Sequence, residues 1–114
     1  MFDDYYIDLR GLSFHYRDWG GRGRPMVLLH GLASNCHIWD MVAPLIAERF
    51  SVVALDQRSH GQTAGTDKGY DFANIAADLK LFLETCGFTK PILVGHSWGG
   101  NVILELAATY PDLT

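Results

Sequence analysis

The stretch Gly95-His96-Ser97-Trp98-Gly99 constrains this chain more than any other. An apolar run from Pro91 to Val94 leads into it and an apolar-periodic segment from Asn101 to Thr109 leads out, so the pattern predicts a strand, a sharp turn and a helix. Side chains two positions before and after the apex of such a turn would collide; Gly95 and Gly99 remove that collision, and Gly100 is expected to extend the room. A serine hydroxyl is a poor nucleophile at neutral pH and needs sharp presentation and a neighbouring base. Ser97 is therefore the candidate catalytic residue.

The rest of the chain reads as the scaffold for that turn. From Tyr5 to Trp19 the residues alternate, with Leu12, Phe14 and Tyr16 on one side and Ser13, His15 and Arg17 on the other, and Arg10-Gly11 supplies a turn. This predicts an antiparallel hairpin with one wet face. After the glycine-rich loop Gly20 to Pro25 the apolar runs become continuous, at Met26 to Leu29, Val52 to Leu55 and Ile92 to Val94, as in strands buried on both faces. Phe72, Ile75, Ala76, Leu79, Phe82, Leu83 and Cys86 form one helical stripe between an Asp71 cap and a Gly87 stop. Ile38 to Ala47 is helical in pattern but contains Pro44, which predicts a kink or two short pieces.

The expected fold class is therefore α/β: an antiparallel hairpin followed by three strand–helix units of a mostly parallel sheet, read as one incomplete domain over residues 1–114. Ligands bind such sheets beyond the carboxyl ends of the strands. His30-Gly31, Asp56-Gln57 and Gly95-His96-Ser97 stand at those ends. Acyl transfer also needs donors for an oxyanion, and the backbone N–H groups of Leu32 and Trp98 occupy the expected places, with Gly31 letting the loop approach the elbow.

With these residues in view, the whole chain resembles the N-terminal part of an α/β-hydrolase, the family with a His-Gly oxyanion motif, a Gly-X-Ser-X-Gly elbow and an Asp-X-Arg-Gly-His-Gly turn after the fourth strand. The resemblance implies Ser97 as nucleophile, Leu32 and Trp98 as oxyanion donors, and His30, Gly31, Gly95, His96 and Gly99 as motif support. Asp56-Gln57-Arg58-Ser59-His60-Gly61 matches the third motif except that Ser59 replaces a glycine, and in the family that turn is mainly structural. Family members with an aspartate nucleophile, the haloalkane dehalogenases and epoxide hydrolases, need a carboxylate where Ser97 stands. What remains is acyl transfer to serine by an esterase, lactonase, thioesterase, amidase, carbon–carbon hydrolase or perhydrolase. No cofactor or metal is implied, and Gly21-X-Gly23 precedes its strand, which fails the dinucleotide fingerprint.

In this family the triad acid and histidine follow the serine in chain order. Seventeen residues follow Ser97 here; Glu105 and Asp112 read as a helix-face and a helix-exit residue, and none is histidine. Of the upstream histidines, His96 points away from its neighbour's hydroxyl, His30 and His60 have structural roles by resemblance, and His15 and His37 receive none. Two functions stay open: the front portion of a serine hydrolase, inactive alone, or a binding or assembly module completed by a partner chain. The partner expected in the first case is a small-molecule acyl substrate. The elbow strand would be the last of the sheet, and its open edge predicts self-association. The net charge of −4 and scattered basic residues exclude a nucleic-acid footprint. An acidic N-terminus without a membrane-length apolar stretch predicts a cytoplasmic protein with no membrane partner. Cys36 and Cys86 read as reduced, small buried hydrophobes, and Trp39 and Trp98 as either pocket wall or core packing.

Overall fold

The computed structural model describes residues 1–113. Alternation and a tight turn make β1 (Asp3–Leu9) and β2 (Leu12–Gly20) an antiparallel hairpin, in which Tyr6 faces His15. The continuous apolar runs form β3 (Pro25–Leu29), β4 (Ser51–Leu55) and β5 (Ile92–Gly95). The sheet order is β1-β2-β4-β3-β5, with β3 parallel to both β4 and β5 and β2 antiparallel to β4. The chain thus steps from β3 to β4 on one side and crosses to β5 on the other, so Leu29, Leu55 and Gly95 end in register at one rim.

The strand residues alternate between two cores. Val27, Leu29, Val53 and Leu55 meet α2 (Phe72–Thr85) and α3 (Trp98–Thr109) on one face, while Met26, Leu28, Val52 and Ala54 meet Cys36 and Ala43 on the other. Asp71 caps α2 by accepting from the Asn74 N–H, and Gly87 leaves it at φ 73°, as the spacing predicts. Pro44 divides the preceding segment into a 3₁₀ helix, Cys36–Trp39, and a single turn, α1 (Ala43–Ile46). Among the described residues no helix is long and apolar enough to cross a membrane.

Three expectations need correction. The second face of the hairpin is not wet: His15 is fully buried and Arg17 nearly so, because β2 lies inside the sheet and the segment after β3 covers that face. β5 is only half-buried, since among the described residues it is an edge strand. Phe72 and Cys86, at the two ends of the α2 stripe, are exposed and half-buried; Cys36 is buried, and both cysteines are free.

Candidate active site

The turn between β5 and α3 holds Ser97 at φ 54° and ψ −116°, a conformation a side-chain-bearing residue adopts only under constraint. The constraint comes from three close approaches. A Cβ on Gly95 would lie 2.5 Å from Gly100 N, one on Gly99 would lie 2.7 Å from the carbonyl oxygens of Leu29 and His30, and one on Gly31 would lie 3.2 Å from His96 Nδ1. Glycine at 95 and 99 is thus required as expected. Gly100 is not, because a Cβ there would meet only Gly95 O, at 3.6 Å.

Ser97 is exposed and opens into a cavity of about 390 Å³ walled by Leu32, Ile38, Trp39, Val42 and His96. The wall is mainly apolar, and Trp39 lines it while also packing on the core. The loop after β3 forms a turn closed by Ser34 N–H to Gly31 O, with Ala33 at φ 60° in its third position, the pattern of a type II turn. Left-handed backbone costs alanine roughly 1–2 kcal/mol. Among the described residues neither the Leu32 nor the Trp98 backbone N–H has a hydrogen-bond acceptor. The structure therefore brings Ser97, Leu32 and Trp98 to one rim, with His30 and Gly31 beneath.

His30 and His60 are already engaged. His30 is fully buried; its Nδ1 donates to Gly31 O at 2.7 Å and its Nε2 accepts from Gln57 N–H at 2.9 Å. Burial holds its pKa below the usual value, so the ring stays neutral. His60 Nδ1 donates to Arg58 O, and its Nε2 accepts from Ala33 N–H at 3.0 Å. His96 is exposed, and Glu105 accepts from Thr109 within α3.

The turn after β4 is the anchor of this rim. Ser59 takes φ 66°, so a left-handed position that suits glycine is filled here by serine. Arg58 makes a two-point pair with buried Asp78 of α2, at 2.9 and 2.8 Å. Asp56 accepts from His15 Nδ1 at 2.6 Å, Cys36 N–H at 2.7 Å and Gln62 N–H at 3.0 Å. Burial alone would raise the Asp56 pKa, but these donors hold it below the ordinary range. The sequence pattern gives His15 no role, yet it joins Asp56 to Asp4, and Arg17 on the same face of β2 binds Asp4 and Asp40. No local pattern marks these partners; they come from separate elements.

His15, Cys36 and Asp56 have ligand-type atoms within 4.8 Å of one another. His15 and Asp56 already satisfy each other, and burial with Asp56 alongside pushes the Cys36 thiol up to about 12.

Residues 24–113 match the family described as alpha/beta hydrolase fold. The chain is 36% identical over 106 residues to Epoxide hydrolase 4 of Mus musculus, covering 90% of this chain and 30% of that protein. It is 34% identical to the bifunctional esterase/perhydrolase DCH of Acinetobacter calcoaceticus, covering 95% and 40% respectively. The crystal structure of E-2-(acetamidomethylene)succinate hydrolase superposes with a TM-score of 0.94 at 32% identity, over 100% of this chain and 42% of that one. The chain thus spans less than half the length of each.

Proposed function

This chain belongs to the alpha/beta hydrolase fold family, and on that premise we propose that it is the front part of a serine hydrolase acting by acyl transfer on an ester, lactone or related carbonyl compound. One observation carries the reading: an exposed Ser97 hydroxyl on constrained backbone, beside two backbone N–H groups without acceptors. In the reaction Ser97 Oγ bonds to the carbonyl carbon and gives its proton to a base. The carbonyl oxygen becomes an oxyanion held by Leu32 and Trp98 N–H, and the leaving group departs with a proton as the carbonyl re-forms. The apolar wall of Leu32, Ile38, Trp39 and Val42 suits an uncharged acyl group.

A serine at this position agrees with the name of the esterase/perhydrolase relative. It disagrees with that of the epoxide hydrolase relative, whose chemistry needs a carboxylate there.

The base is the part this chain does not supply. Both ring nitrogens of His30 and of His60 are committed to backbone groups, so neither accepts the Ser97 proton. We therefore expect the 114 residues alone to hydrolyse an activated phenyl ester slowly and without saturation, at a residual rate that Ser97→Ala changes little. Saturable, rapid turnover would overturn the missing-base part of the proposal.

The open outer edge of β5 favours a second reading, in which the chain is a binding or assembly module completed by a partner strand or a second copy. Size-exclusion chromatography separates the two: association that rises with concentration supports it, and a sharp, concentration-independent monomer peak counts against it.

A further inference from the structure

Four groups converge on the ring of His60. Its Nδ1 donates to Arg58 O at 2.9 Å, which leaves Nε2 as an acceptor, and Nε2 takes the Ala33 N–H at 3.0 Å. Its face lies against Trp98, with ring centroids 5.7 Å apart and planes 31° from parallel. Phe72 contacts the indole at a centroid distance of 6.2 Å, and the His30 ring also packs on His60, at 4.9 Å.

Each contact bears on one of the two oxyanion donors. Ala33 N–H belongs to the middle peptide of the turn Gly31 to Ser34, where Ala33 sits at φ 60°. Alanine in that position favours a type I turn, in which φ is negative and the middle peptide is flipped. The acceptor on His60 holds the peptide the other way and ties the turn that carries Leu32 to the turn after β4. Trp98 is the first residue of α3, and its indole packs on both His60 and Phe72, next to the peptide that carries the second donor.

We propose that His60 is a positioning residue that aligns both backbone donors, Leu32 N–H and Trp98 N–H, through one ring. The inference rests on the reading of Ser97 as nucleophile. It gives the turn after β4 a part in the chemistry rather than in packing alone.

Two substitutions separate the ring's functions. His60→Phe keeps an aromatic face for Trp98 and removes the acceptor; His60→Gln supplies an amide oxygen near the place of Nε2 and removes the ring. In the 114-residue chain, amide hydrogen exchange at Ala33 is expected to quicken roughly tenfold in His60→Phe and to stay near the wild-type rate in His60→Gln. Phosphonylation of Ser97 by a fluorophosphonate is expected to slow roughly tenfold in His60→Phe, with partial recovery in His60→Gln. A purely structural role would instead lower the melting temperature and leave labelling of the folded fraction unchanged. Unchanged Ala33 exchange in His60→Phe overturns the proposal, as do identical labelling rates in wild type and both variants. If wild-type Ser97 takes no label, the nucleophile reading fails, and Ala33 exchange still decides whether His60 sets the loop.

Discussion

His15 Nδ1 lies 2.6 Å from Asp56 Oδ2, and both residues are buried. This contact ties the hairpin to the carboxyl end of β4, and Asp56 passes the tie on to Cys36 N–H, at the foot of the cavity wall. Removing the carboxylate strands two buried donors, His15 Nδ1 and Cys36 N–H, and frees the Gln62 N–H to solvent. Asp56→Ala is expected to cost about 3 kcal/mol, since each unsatisfied buried donor costs about 1–3 kcal/mol and part is recovered by relaxation. Urea unfolding measures it, and a loss under about 1 kcal/mol would show that the knot is not structural.

Acid should destabilise the fold in two steps. His30 has its pKa lowered by burial, so the unfolded chain takes up its proton first; the stability from its neutral ring is complete above about pH 6.5 and is lost as the pH falls below that value. Asp56 also titrates lower in the fold, and its contribution is present above about pH 4 and lost as the pH falls through the folded value. Each pH unit separating folded from unfolded titration is worth about 1.4 kcal/mol. Unfolding midpoints measured from about pH 7.5 to about pH 2 should fall in both windows, and His30→Asn should flatten the first.

Adjacent glycines should respond with opposite signs. Gly99→Ala drives a Cβ to 2.7 Å from two backbone carbonyls that cannot move aside, and should cost about 1–3 kcal/mol or prevent folding. Gly100→Ala meets only an ordinary contact inside α3 and should stabilise by up to ~1 kcal/mol through helix propensity. Equal effects in thermal melts would mean that the elbow is not packed as described.

Ser97 carries a stability cost of its own. Glycine accepts φ 54° and ψ −116° far more readily, so Ser97→Gly should raise stability by about 1 kcal/mol while abolishing nucleophilic chemistry. A destabilised variant in denaturant titration would show that the backbone at 97 is unstrained.

Local pattern made much of this structure legible. The elbow, the α2 stripe between Asp71 and Gly87, and the break at Pro44 each depend on residues within a few positions of one another. The alternation in β2 separated Phe14 and Tyr16 from His15 and Arg17 correctly, but periodicity reports only that faces differ; whether a face is covered depends on what folds over it. The same limit hid the tie from His15 to Asp56, 41 residues away, and that from His60 to Ala33, 27 residues away. Ser59 at φ 66° lay within reach of sequence, because it fills a position where the family has glycine.

The most direct measurement is the site and rate of phosphonylation of the 114-residue chain, read by intact mass and peptide mapping. A single adduct on Ser97, absent in Ser97→Ala, is expected to form slowly, faster than at an ordinary serine because the oxyanion donors and the cavity alone retain at most ~10³–10⁴-fold over water. Adducts spread over Ser13, Ser34, Ser51 and Ser59 without preference for Ser97 would contradict the nucleophile assignment. Labelling at an enzyme-like rate would contradict the absence of a base.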